Sequence, residues 1–154
     1  VCTALCLHVA GDRVTIAAGG HPLPLCLTPQ GVQPIGDHGP LLGALHDVRW
    51  TESTVRLVPG STLLLYTDGV TDAVGEGGAR YGTERLVSTL GRLRDGSAAA
   101  IVDGLLGALS AFQVGSNADD VAVLALRSST AVRGALTPHR SRGDAVVSTG
   151  GRSD

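Results

Sequence analysis

The spacing of apolar residues changes once along this chain, and that change limits the fold more than any other feature. Up to residue 67 the apolar residues alternate or form short runs between Gly and Pro turns, which is typical of β-strands. Between residues 83 and 112 they recur at helical spacing, and residues 120–126 return to a strand pattern. Strands followed by helices and a last strand indicate an α+β fold, because a βαβ domain would alternate the two.

The turn residues between the apolar segments predict where each element begins and ends. Helix N-caps are expected at Thr83 and Ser97. From about Arg127 the apolar periodicity stops, so residues 1–127 are predicted to form the domain and residues 128–154 a disordered tail. The predicted strands cover residues 2–9, 13–18, 23–28, 32–35, 50–57, 61–67 and 120–126, with an ordered loop over 36–47.

Composition excludes several classes of function. A net charge of −2 argues against a nucleic acid or an anionic membrane as the main partner. No apolar run reaches the roughly 20 residues that cross a bilayer, and no signal peptide is recognisable, so a cytoplasmic setting is predicted. The sequence contains no lysine, which excludes Schiff-base catalysis and a P-loop.

Aspartates stand at the ends of two apolar strand patterns. Asp68 follows the run 63–67, and Asp119 and Asp120 precede the run 121–126. An acid at the tip of a buried strand presents its carboxylate at the sheet edge, and two neighbouring tips would make half of a site for a hard cation. A single Asp-Gly is more often only a turn. The residues alone therefore leave metal binding and a simple turn as alternatives.

Cysteine and histidine residues near the N-terminus suggest a second kind of metal site. Cys2, Cys6 and His8 fall on one face of a predicted strand, which is compatible with zinc. A structural zinc site needs four ligands, however, and a second pair is missing. Buried thiols are therefore the favoured interpretation. His21, in a Gly-Gly-His-Pro turn, is predicted to shape that turn.

Six segments resemble, in the same order, those of the metal-dependent serine/threonine phosphatases (the PPM family). The similar branch is the bacterial one that includes the stage II sporulation and stress-response sigma-regulating phosphatases. Residues 66–73 (YTDGVTDA) are similar to that branch's YTDGxTEA. The others are residues 18–25 (AGGHPLPL, similar to NAGHPPPL), 40–43 (PLLG, similar to PPLG), 58–65 (VPGSTLLL, similar to LxPGDxLLL), 81–86 (YGTERL, similar to FGxERL) and 119–124 (DDVAVL, similar to DDITLL).

The resemblance implies a fold and a chemistry. The fold would be a sandwich of two antiparallel sheets with helices on the outer faces, in α-β-β-α layers, of which this chain supplies the later two thirds. Asp68 and Asp119 would be ligands of a manganese or magnesium centre, binuclear in the complete family site, with Asp120, Asp72 and Gly69 as its neighbours. The reaction would be hydrolysis of phosphoserine or phosphothreonine by metal-activated water. The implied substrate is a phosphorylated anti-sigma-factor antagonist.

One segment of the family pattern is expected several tens of residues before position 1. It has the form Gly-Asp-x-x-Gly-His-Gly, and its aspartate bridges both metals. Residues 36–39 (GDHG) imitate it, but their place between two other motifs predicts a loop. This N-terminal incompleteness leaves open a non-catalytic phosphatase-fold module that binds a partner. A small zinc-binding module, which would need the cysteines to bind metal, is a further alternative. An upstream sensor domain is also left open. Arg49 and Arg56 are the arginines considered for contact with a phosphate.

Overall fold

The computed structural model describes residues 1–115 and 120–129 in full and the backbone of residues 145–150. The strands are β1 (Ala4–Ala10), β2 (Arg13–Gly19), β3 (Leu25–Thr28), β4 (Gly31–Pro34), β5 (His38–Gly39), β6 (Ser53–Arg56), β7 (Thr62–Tyr66), β8 (Val121–Arg127) and β9 (Ala145–Gly150). The helices are α1 (Gly69–Asp72), α2 (Gly82–Leu93) and α3 (Ala98–Phe112), and a 3-10 turn occupies Glu76–Gly78. None of the described helices is long and apolar enough to cross a membrane.

The strands form two sheets. In the first sheet β1 pairs with one side of β2, while β5 and β6 share the other side. The second sheet has the order β4-β3-β7-β8-β9. All of these pairs are antiparallel except β2 with β5. Antiparallel neighbours joined by short turns follow from the Gly and Pro punctuation of the sequence.

The first sheet is buried on one face only. Its hairpin turns at Gly11, which adopts a φ of +62° that favours glycine. Alternation along β2 then places Val14 and Ile16 in the core between the sheets, at 0% and 1% exposure. Cys6 and His8 lie on the opposite face of β1 and are exposed. The prediction of buried thiols is therefore wrong for Cys6 because no described element covers this face.

The second sheet is buried on both faces. One face meets the inter-sheet core, to which Leu63 contributes, and the other packs against α2 and α3. This double burial explains why residues 63–65 show no alternation of apolar and polar residues. The helix-facing core contains, among others, Leu64, Tyr66, Val123 and Ala125 from the sheet and Leu86, Leu90, Ile101 and Leu105 from the helices.

One of the two predicted helix N-caps agrees with the structure, and the other does not. Ser97 caps α3 as predicted, since its Oγ accepts a hydrogen bond from Ala100 N at 3.2 Å. Helix α2 begins at Gly82, ahead of the predicted N-cap Thr83. Tyr81 fixes this start, because its N–H donates to the Ala73 carbonyl at 2.8 Å and its buried ring is locked in the core.

Strand β9 lies within the segment predicted to be disordered. Its six residues pair antiparallel along β8, from Val121 with Gly150 to Leu126 with Ala145. The prediction does not hold for these six residues. Two consecutive valines favour a strand, and the free edge of β8 offers backbone partners for it. The other residues of the predicted tail beyond 129 lie outside the described part of the chain.

Candidate functional site

The end of β7 and the start of β8 meet at one edge of the second sheet. Tyr66 is opposite Val123 in the ladder, and the Thr67 N–H donates to the Ala122 carbonyl at 3.1 Å. The strands that carry the aspartates are therefore neighbours. We call this edge, formed by residues 66–68 and 120–123, the Asp68 edge.

Thr67 joins the two strand ends through its side chain. Its Oγ1 donates to the Asp120 carbonyl at 3.0 Å and accepts from the Ala122 N–H at 2.9 Å. One hydroxyl therefore holds the backbone on both sides of Val121. This role was not predicted from the sequence, although a threonine between a leucine-rich strand and Asp68 was a usable signal.

Asp68 is exposed at this edge and begins a short helix. Its carbonyl accepts from the Asp72 N–H at 2.8 Å and from Thr71 Oγ1 at 3.0 Å. Its carboxylate caps no helix N–H and makes no hydrogen bond to the described residues. Gly69 and Val70 are buried beneath it, and they fix the backbone of α1. The backbone of Asp68 is thus fixed, and its exposed carboxylate is open to a ligand.

Asp120 and Asp72 differ in what they can offer a cation. Asp120 is exposed, and its carbonyl is held by Thr67. The Asp72 carboxylate forms an ion pair with Arg80, and its side chain is 43% exposed. Because a guanidinium already occupies that carboxylate, Asp72 is a weaker candidate ligand than Asp68.

The described oxygen donors match part of a manganese or magnesium centre. Such cations take about six oxygen ligands, several of them water, from carboxylates on rigid elements. Asp68 and Asp120 supply carboxylates of this kind, and Asp119 lies outside the described residues. Across residues 1–115 and 120–129, no group of three or more His, Cys, Asp or Glu side chains is arranged to hold a metal ion.

Other residues singled out in the sequence have structural partners instead. Asp37 accepts a hydrogen bond from Ser53 Oγ, which ties the loop before β5 to β6 and agrees with the predicted loop. His21 lies 3.4 Å from Thr3 Oγ1 through its Nδ1. Cys2, like Cys6, is exposed, and the described residues give neither thiol a metal-binding cluster.

The two arginines considered for phosphate binding lie elsewhere. Arg56 pairs with Asp12 at 2.5 Å, beside the hairpin turn that precedes β2. The Arg56 hydrogen bond lowers the pKa of the Asp12 carboxyl. Arg49 is exposed in the connection between β5 and β6.

Two grooves lie away from the Asp68 edge. One, of about 480 Å³, runs between α2 and α3 and includes Arg85, Arg92 and Phe112 in its walls. The other, of about 440 Å³, lies beside Cys26 and Arg56 at the side of the sandwich.

A family profile and a curated protein match this chain. The profile of the family described as Stage II sporulation protein E (SpoIIE) matches residues 1–129. Protein IcfG of Synechocystis sp. is 28% identical over 85 residues, which are 54% of this chain and 13% of IcfG.

Two solved structures show the same architecture. The SiaA-PP2C domain of Pseudomonas aeruginosa superposes with a TM-score of 0.66 at 23% identity, over 75% of this chain and 46% of that one. The phosphatase domain of SpoIIE from Bacillus subtilis, described as Mn presoaked, gives a TM-score of 0.68 at 13% identity, over 86% and 59%. The chain thus spans less than two thirds of each of these proteins. At such identities the likeness establishes the fold, and it confirms the predicted α+β sandwich.

Proposed function

This chain belongs to the Stage II sporulation protein E (SpoIIE) family, and from that premise we propose that it forms part of a PPM-type protein serine/threonine phosphatase. The observation that supports the proposal most is the pairing of β7 with β8. This pairing brings Asp68 to the same exposed edge as Asp120. The reaction proposed is hydrolysis of phosphoserine or phosphothreonine in a phosphoprotein.

We propose that Asp68 and Asp119 hold manganese or magnesium at this edge. Their carboxylate oxygens suit hard divalent cations, and the Bacillus subtilis SpoIIE phosphatase structure is described as Mn presoaked. When bound, a pair of such ions would acidify a water molecule and neutralise phosphoryl oxygens. Asp120 would complete or orient the ligand set from the same strand end. Gly69 and Asp72 would fix the turn that carries Asp68.

The proposed substrate is a phosphorylated protein of the anti-sigma-factor antagonist type. The sequence resemblance to the sigma-regulating branch supports this choice. The net charge of −2 agrees with a protein substrate rather than a nucleic acid. A cytoplasmic setting stays a prediction, as does an upstream sensor domain.

The test is manganese-dependent hydrolysis of a phosphoserine peptide. Three proteins are compared, namely this chain, a version extended upstream to include the expected Gly-Asp-x-x-Gly-His-Gly segment, and the extended version with Asp68→Asn. The matched control is Asp103→Asn, which changes an exposed aspartate on α3. Manganese binding is measured separately by calorimetry.

The extended protein is expected to hydrolyse the peptide only with manganese. Asp68→Asn should lower the rate by more than the roughly 10–100-fold typical of residues behind the metal ligands, while Asp103→Asn should leave it unchanged. Manganese binding without hydrolysis in the extended protein would favour the non-catalytic module. Equal rates for the Asp68 and Asp103 variants would overturn the metal role of Asp68.

A further inference from the structure

Two exposed Arg–Asp ion pairs stand at opposite ends of β7. Arg80 pairs with Asp72, with side chains 65% and 43% exposed, and Arg56 pairs with Asp12, at 76% and 47%. Arg56 is the last residue of β6, and a short turn leads from it into the start of β7. Asp68 follows the other end of β7. Five residues of strand separate the two ends, about 17 Å. Of these two pairs, the Arg80 pair therefore lies on the side of β7 that carries Asp68.

Backbone contacts hold Arg80 close to this edge. Helix α1 places Asp72 one turn after Asp68, through the 2.8 Å hydrogen bond from Asp72 N to the Asp68 carbonyl. The chain then folds back, so that Arg80 forms a β-bridge with Val74. The Arg80 carbonyl also accepts from Arg85 Nη1 at 2.9 Å. The backbone of Arg80 is thus fixed on both sides, and its guanidinium contacts Asp72.

The charge at the Asp68 edge favours a cation beside it. Asp68 and Asp120 give the edge two carboxylates, and a phosphate ester carries up to two negative charges. A cation beside the carboxylates would reduce their repulsion of the substrate. A guanidinium offers five N–H donors in a planar fork that matches phosphate oxygens, and one carboxylate leaves several of these donors free.

We propose that Arg80 binds the phosphoryl group of the substrate and that Asp72 holds the guanidinium beside Asp68. This inference rests on the proposed phosphatase function, since it assigns a substrate contact at the same edge. Arg80 takes the phosphate-binding role for which Arg49 and Arg56 were considered from the sequence. Arg80 makes the contact itself, and Asp72 is a positioning residue.

The kinetic test compares Arg80→Ala with Arg56→Ala in the upstream-extended protein. With manganese and a phosphoserine peptide, Arg80→Ala is expected to raise KM about tenfold or more, as the loss of charge-assisted hydrogen bonds predicts, with a smaller change in kcat. Arg80→Lys should recover part of the loss, because it restores the charge without the fork. Arg56→Ala should leave both constants unchanged. Unchanged KM in an active Arg80→Ala protein overturns the inference and leaves the phosphatase function standing.

A binding test separates the two proposals. Inorganic phosphate and the phosphoserine peptide are titrated into this chain while the arginine Nε–H signals are followed by NMR, with the unphosphorylated peptide as control. Both phosphate sources should shift the Arg80 signal at lower concentration than the Arg56 signal, and the unphosphorylated peptide should shift neither. Selective binding at Arg80 without hydrolysis in any variant would support the inference and overturn the phosphatase function. Equal shifts at Arg80 and Arg56 would show general electrostatic attraction and overturn the inference.

Discussion

The two sheets of the sandwich share one core but differ on their outer faces. In the second sheet Leu64 is 0% exposed and packs under α2 and α3, whose Leu90 and Leu105 are also 0% exposed. In the first sheet the outer face is open, and Cys6 and His8 of β1 are exposed on it. Asp68 follows a strand of the doubly covered sheet. A candidate metal ligand thus stands on the more rigid of the two sheets, as a precise site requires.

The largest expected difference between the sheets is in the effect of a leucine truncation. Leu105→Ala should lower the free energy of unfolding by about 2–5 kcal/mol, because it leaves a cavity in the helix-facing core. Leu7→Ala, at a half-buried position of β1, should cost clearly less. Urea unfolding of both variants measures the two values. Equal losses would show that the open sheet is as well packed as the covered one.

A second prediction concerns the attachment of the helices to the covered sheet. Arg127 on β8 donates through Nη1 to the Gly96 carbonyl at 2.6 Å and to Thr62 Oγ1 at 3.1 Å. Arg127→Leu should therefore lower the free energy of unfolding by about 1.5–3 kcal/mol, the range for hydrogen bonds to a charged group. Arg13→Leu, at an exposed position of the open sheet, should change it by less than about 0.5 kcal/mol. A thermal or urea denaturation series checks both, and similar losses would contradict the role of Arg127.

Local features of the fold were predictable from the sequence, whereas contacts across the sheets were not. The β1–β2 hairpin and the Ser97 cap depend on neighbouring residues, so periodicity and turn chemistry predicted them. The link from Thr67 to Asp120 joins residues 53 positions apart, and it depends on a strand pairing that periodicity does not specify. The exposure of Cys6 was not predictable for a similar reason, because it depends on whether another element covers β1.

The candidate site shows the same division between local features and contacts that depend on the fold. Asp68 and Asp119 were predicted as metal ligands from their places at strand tips, with Asp120 as a neighbour, and these roles stay predictions. The family resemblance is confirmed by the matching SpoIIE profile. The pairing of Asp72 with Arg80 was not foreseen, because the chain must fold back through the Val74–Arg80 bridge to form it. Charge partners across a turn depend on side-chain direction, which sequence spacing does not give.

A third prediction compares two threonines, one on each sheet. Thr67→Val removes the hydroxyl that pairs with the Asp120 carbonyl and the Ala122 N–H, so it should lower the free energy of unfolding by about 1–3 kcal/mol. Thr15→Val breaks only the exposed 3.0 Å contact with Thr54 in the first sheet, worth about 0.2–1 kcal/mol. Thr67→Val should also weaken manganese binding about 10–100-fold in the extended protein, as loss of a supporting residue does. Unfolding curves and manganese calorimetry test the pair, and equal behaviour of the two variants would contradict the positioning role of Thr67.

The smallest effect is expected at the Arg56–Asp12 pair of the open sheet. The Arg56 hydrogen bond lowers the pKa of Asp12 in the folded state, so the folded chain releases this proton more readily than the unfolded chain. The pair therefore stabilises the fold above the unfolded pKa of about 3.9, and this stabilisation is lost as the pH falls through the lower folded value. The free energy of unfolding of Asp12→Asn should differ slightly from that of the parent chain at neutral pH, and the two values should converge in acid. Salt should also reduce this difference in free energy at neutral pH, because both side chains are exposed to screening ions. A difference that persisted in acid and in high salt would mean that Asp12 acts through the backbone of its turn, where its carbonyl accepts from Leu57 N at 2.8 Å.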